Sequence, residues 1–167
     1  IEFISIDKQG TVWAASKSNV CHYDGSKWKS SHLDGVSITA VCAGPDSGLI
    51  VGTAYNDSLN TRGFATWHGA SVKETVLGQG TEKTVSALAT DSDGTIYAGT
   101  RKGLYSYSTS GWKLFSSPKH LPITSFPNAK KFFIDKMGVH WLVNNDNILK
   151  YDGIDTKLIP IPQTYPE

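Results

Sequence analysis

The sequence predicts an all-β chain, a β-propeller of four four-stranded blades that stands complete or forms part of a larger ring. Three observations predict it. One phrase is written four times: Ile6–Ala15 reads Ile-Asp-Lys-Gln-Gly-Thr-Val-Trp-Ala-Ala, and its copies run Ala43–Thr53, Thr90–Thr100 and Ile134–Val143. The copies lie roughly 40–45 residues apart, the period of a propeller blade. Between turn residues, short runs alternate in the period of two that a pleated strand requires. No stretch sustains a 3.6-residue period, so almost no helix is expected. The 167 residues suffice for one core and are too few for two comfortable domains. The expected blades span about 1–33, 34–79, 80–124 and 125–167, the spacing set by the repeat.

Each copy resolves into four strands, a to d. Copy one gives Phe3–Ile6, Thr11–Ala15, Val20–Tyr23 and Lys27–Ser30. Copy two gives Ile38–Ala43, Leu49–Gly52, Phe64–Trp67 and Val72–Leu77. Copy three gives Val85–Thr90, Thr95–Gly99, Leu104–Tyr107 and Trp112–Phe115. Copy four gives Lys131–Ile134, Val139–Val143, Ile148–Tyr151 and Lys157–Ile161. The a–b connections carry Asp and Gly, which tolerate left-handed backbone, so they read as tight turns. The c–d connections repeat an aromatic followed by a turn, as in Tyr23-Asp24-Gly25 and Tyr151-Asp152-Gly153. Asp-Gly there is a hairpin signal, and the aromatic before it is expected to pack between blades.

Composition removes several function classes. Lys and Arg number 16 against 15 Asp and Glu, for a net charge of +1. No basic run exceeds a pair, so the patch that binds nucleic acid by counterion release is missing. No apolar run approaches the ~20 residues of a membrane-spanning helix. The chain starts at Ile1 without Met or leader, which reads as a processed product or an excised piece. Cys21 and Cys42 fall within strands and are expected as two buried thiols, with a disulfide as the alternative.

The phrase D-x-x-G-x-x-W-hydrophobic-small, followed by G-L-x-x-Y and Y-D-G-x-x-W, resembles the two-component regulator propeller repeat. It stands as Asp7–Gly10 with Val12-Trp13-Ala14, then Val20–Trp28, and again as Asp93–Thr100 with Gly103–Tyr107. The resemblance covers essentially the whole chain. Copy two departs in lacking the aromatic at Leu49-Ile50-Val51, and copy four in having Asn144-Asn145 for Gly-Thr. Such repeats form extracytoplasmic sensor regions of hybrid histidine kinases that respond to glycan fragments, and also free-standing secreted propellers. The resemblance therefore implies ligand sensing or protein binding, an oligosaccharide as ligand, no cofactor, and a periplasmic or extracellular location. A secreted lectin or protein-interaction scaffold is the alternative.

Propeller strands run outward from the axis, so b–c loops and d–a crossovers share one face. Irregularity collects there: an insert at Ala54–Arg62, a long crossover at Ser116–Pro127, and the b–c loops Arg101-Lys102 and Asn144–Asp146. Variable loops on a rigid scaffold commonly carry recognition. Tyr55, Asn56, Asn60, Arg62, Arg101, Asn144 and Asn145 supply the phenol, amides and guanidinium groups that hold a sugar by stacking and bidentate hydrogen bonds.

A non-enzyme is expected. Most carboxylates fall in turns, and nothing in the sequence brings together the pair that glycoside hydrolysis needs. His22, His32, His68, His120 and His140 are too dispersed for a metal site. Asp91–Gly94 has the start of a calcium loop without its downstream acidic ligand, so no metal is expected. Closure of the ring is a separate matter. Four blades can close alone, or the end faces can be completed by the rest of a longer chain, by another propeller segment, or by self-association as a homodimer.

Overall fold

A computed structural model describes residues 1–46, 48–54, 64–68, 71–75, 84–100, 103–108, 111–115 and 129–162. Among these residues there is no helix, and the chain folds into four antiparallel four-stranded sheets, each in simple sequential order. The first blade comprises β1 (Phe3–Ile6), β2 (Val12–Ala15), β3 (Asn19–Tyr23) and β4 (Trp28–His32). The second comprises β5 (Ile38–Ala43), β6 (Leu49–Thr53), β7 (Phe64–His68) and β8 (Ser71–Thr75). The third comprises β9 (Ala87–Thr90), β10 (Ile96–Thr100), β11 (Gly103–Ser108) and β12 (Gly111–Leu114). The fourth comprises β13 (Lys131–Ile134), β14 (His140–Val143), β15 (Asn147–Tyr151) and β16 (Thr156–Pro160). This is the β-propeller architecture the repeat predicts. Strand β9 starts two residues later than its alternation implies, because Val85 donates its amide to Thr53 of the preceding blade at 3.1 Å.

The a–b turns explain why the phrase recurs. In three blades the leading Asp amide and the carbonyl four residues on close a tight hairpin, at Asp7/Thr11, Asp91/Thr95 and Asp135/Val139. The fourth turn residue sits at φ 81, 88 and 76 at Gly10, Gly94 and Gly138, a left-handed backbone that glycine adopts without steric cost. Blade two closes the same bend from Gly44 to Gly48. Its b strand, without the aromatic, is buried along its whole length.

Inner strands β1, β5, β9 and β13 stand side by side in that order. Three apolar clusters fill the spaces between consecutive blades. Trp13, Val20, Leu49 and Val51 join blades one and two. Ile50, Leu88, Ile96 and Ala98 join two and three, and Tyr97, Leu104, Phe132 and Leu142 join three and four. Strands β6 and β10 are buried throughout because a blade covers each of their faces, the pattern of a sheet sandwiched on both sides. Strand β1 instead alternates between half-buried and exposed, since among the described residues a neighbouring blade packs on only one of its faces. Both cysteines are free thiols. Burial pushes the Cys42 thiol up to about 12, against a hydrogen bond with the Thr90 hydroxyl.

Candidate ligand-binding face

Backbone hydrogen bonds tie b–c loops to d–a crossovers. Leu33 of the first crossover and Ile38, the first residue of β5, donate to Ser18 and Lys17 of the first b–c loop, at 2.8 and 2.6 Å. Ala54, just after β6, donates to Ser37 of the same crossover at 2.8 Å, and Ile161 donates to Asp146 at 2.8 Å. These described segments share one face and brace one another.

The expected site residues divide into two groups. Tyr55, Asn56, Asn60, Arg62 and Arg101 lie outside the described residues. Asn144 and Asn145 lie on the face, in the turn between β14 and β15. The Asn144 carboxamide oxygen accepts the amides of Asp146 and Asn147 at 2.9 and 2.8 Å. Its oxygen is thus committed to closing the turn, whereas Asn145 is exposed.

At the centre of the blades the structure shows a feature the sequence did not reveal. A cavity of about 60 Å³ is lined by all four inner strands. Its polar lining comes from Thr39, Ser86, Lys130 and Lys131, its apolar lining from Phe3, Leu88 and Phe132 among others. These residues lie at or near the starts of the inner strands, on the side of the crossovers. The two hydroxyls are already engaged: Thr39 donates to the Val85 carbonyl, and Ser86 to Gly99 at 3.1 Å. Lys131 holds its ammonium 5.8 Å from the Phe3 ring centroid, reaching from the fourth blade to the first. No periodicity or motif marks this set, because it forms only when residues from four repeats meet at one axis.

Carboxylates on the opposite face have structural work. The Asp7 carboxylate accepts the amides of Gln9 and Thr11 and the Trp13 indole at 3.0, 2.9 and 3.0 Å. It also reaches Gly48 of the second blade at 3.3 Å. Burial opposes its ionisation, but these bonds prevail and hold its pKa below the ordinary value. Asp135 repeats the device, with Trp141 at 3.0 Å and the amides of Met137 and Val139 at 2.8 and 3.1 Å. The D-x-x-G-x-x-W spacing encodes this latch, although the Asp alone reads only as a turn former. Asp93 accepts Thr95 of its own turn at 2.8 Å, and Asp91 accepts Ser92 at 2.6 Å.

Asp91 also faces His140 of the fourth blade, whose Nε2 lies 3.7 Å away. That imidazole is buried among Tyr97, Phe132 and Tyr151, with ring centroids 4.7, 5.6 and 5.6 Å from its own. Its Nδ1 is buried without a hydrogen-bond partner. Burial pushes its pKa below the ordinary histidine value, and Asp91 offsets this only in part. Tyr97 is driven the other way, to about 12, by burial and by the charges of Asp91 and Asp93.

No family model matches the chain, and no curated protein does. Solved structures do. Virginiamycin B lyase from Staphylococcus aureus superposes with a TM-score of 0.69 at 14% identity, over 96% of this chain and 55% of that one. The extracellular domain of a B. thetaiotaomicron protein assigned to the hybrid two-component systems gives 0.65 at 18% identity, over 91% of this chain and 22% of that one. A protein assigned as a gluconolactonase gives 0.65 at 14% identity, over 96% and 63%. At these identities the likeness establishes the fold alone. The chain spans little more than half the length of the lyase and about a fifth of the sensor domain.

Proposed function

We propose that this chain is a ligand-sensing or protein-binding segment of an extracytoplasmic sensor propeller, acting outside the cytoplasm without catalysing a reaction. One observation carries the reading. The recurrent carboxylates Asp7, Asp24, Asp135 and Asp152 are each bonded within their own turns, while the polar variety of the sequence falls in segments expected on the crossover face. A site built for binding fits that division better than one built for acid–base work, which needs free, paired carboxyl groups. The likeness to extracellular domains of two-component sensors supports it, as does the resemblance of the repeat.

The ligand on this reading is an oligosaccharide, stacked on Tyr55 and held by Arg62, Arg101 and the asparagine amides, and the output passes to a kinase in the full signalling protein. A free-standing secreted lectin or scaffold is the second reading, in keeping with the backbone bonds by which the described loops of this face brace one another. Glycan-array and thermal-shift screening of the purified chain should yield a saccharide that raises its melting temperature. Tyr55→Ala and Arg62→Ala should each weaken that binding by on the order of tenfold, the loss of about 1.4 kcal/mol. Unchanged binding in both variants would remove the proposed face. Chemical turnover of the bound saccharide would overturn the non-catalytic reading.

A further inference from the structure

Three consecutive blades give the axial cavity most of its wall. Thr39 comes from blade two, Ser86 from blade three, and Lys130 and Lys131 from blade four. Strand β5 lies against β9, and β9 against β13. That wall is therefore made by adjoining blades, and further blades in the ring would leave it in place. Phe3 of blade one adds an aromatic ring, 5.8 Å from the Lys131 ammonium.

The polar groups of this wall ask for two different things. A hydroxyl has one proton to donate and two lone pairs to accept with. Thr39 gives its proton to the Val85 carbonyl, and Ser86 gives its own to the Gly99 carbonyl. Both oxygens are thus left as acceptors, and hydroxyl donors suit them. The ammoniums are the converse, with three donors each and no acceptor. Among the described residues neither lysine forms an ion pair with a carboxylate, and the cavity lining contains no Asp or Glu. Two positive charges without an internal counter-ion attract an anion, and a cleft with apolar walls concentrates their field. Leu88 and Phe132 supply such a wall. A neutral sugar satisfies only the hydroxyl oxygens, and a simple carboxylate only the lysines. A carboxylate with hydroxyls beside it satisfies both. The volume of about 60 Å³ is room for about four waters at ~15 Å³ each, which is the size of an acid group and its neighbouring hydroxyl.

We propose that the axial cavity binds the acid end of a sugar acid. Lys130 and Lys131 hold the carboxylate, Thr39 and Ser86 accept from the adjoining hydroxyls, and the rest of the ligand extends toward the crossover face. The inference deepens the saccharide reading above and rests on it for the class of ligand, but it draws on different residues.

Titration calorimetry of the 167-residue chain at low ionic strength tests it with glucuronate, glucose and acetate. Glucuronate should bind at least about tenfold more tightly than either of the others, the value of one charge-assisted hydrogen bond. Lys130→Gln and Lys131→Gln should each weaken glucuronate by about the same factor and leave glucose unchanged. Both lysines are exposed, so circular dichroism should show both variants folded with unaltered melting. Lys157→Gln, on the exposed outer strand β16, should leave glucuronate binding as it was, which separates a site from the effect of net charge. No glucuronate binding, or binding that neither cavity variant weakens, overturns the proposal. Acetate bound as tightly as glucuronate also overturns it, by reducing the cavity to a general anion site. A saccharide held through Tyr55 and Arg62 but indifferent to both lysines removes this proposal alone. Lysine-dependent glucuronate binding that survives Tyr55→Ala and Arg62→Ala upholds it and removes the loop site instead.

Discussion

Asp7 and Asp135 accept matching hydrogen bonds in different surroundings, so mutation separates the latch from its burial. Asp7→Ala leaves the buried Trp13 indole without its acceptor, at about 1–3 kcal/mol for an unsatisfied buried group. The urea midpoint should fall accordingly, and Asp135→Ala should lower it less, because water reaches Trp141. His140 acts on pH. Its folded pKa lies below the ordinary value of 6.5, so the native state prefers the neutral ring. Its contribution is complete above 6.5 and is lost as pH falls below that value toward the folded pKa. Melting temperature should therefore drop between about pH 7 and pH 5, and His140→Phe should flatten that part of the curve. A variant with an unchanged slope would assign the transition to another group. Asp7 follows the same direction at lower pH, its contribution present above 3.8 and lost as pH falls through its depressed folded pKa.

Two glycines show how differently a turn and a strand use the missing side chain. Gly10 sits at φ 81, and a Cβ added there would meet nothing within 4 Å, so Gly10→Ala meets only backbone strain of about 1–2 kcal/mol. Gly52 lies in β6, where a Cβ would stand 2.7 Å from Val85 Cγ1 and 2.9 Å from its Cβ. Gly52→Ala forces blades two and three apart, an overpacking cost of about 1–3 kcal/mol. Equilibrium unfolding of both variants checks the pair. Gly10 was legible because its turn repeats in three blades. Gly52 was not, because the residue that crowds it comes from the edge of the next repeat. The same division runs through the strands. Alternation located β5 and β13 to the residue, while β9 lost its first residues to a hydrogen bond between blades.

Stability in a repeat array approximates a sum of units and nearest-neighbour interfaces. The three apolar clusters are those interfaces, and Leu49→Ala in the first should cost about 2–5 kcal/mol. Hydrogen exchange should be slowest in β6 and β10, which blades cover on both faces, and fastest in β4, which is largely exposed. Equal protection of β4 and β6 would contradict the burial of the blades as described. The sequence alone determined the blade count, the order of strands and the turn chemistry, because a repeat written four times constrains each copy through local backbone geometry and period-two burial. It also marked Asn144 and Asn145, without revealing that the Asn144 oxygen closes a turn. The tertiary structure decided what depends on contact between distant repeats: the axial cavity and the aromatic enclosure of His140. Each is made by side chains from separate strands or blades, and their approach depends on the angle at which the blades pack, which no single repeat encodes.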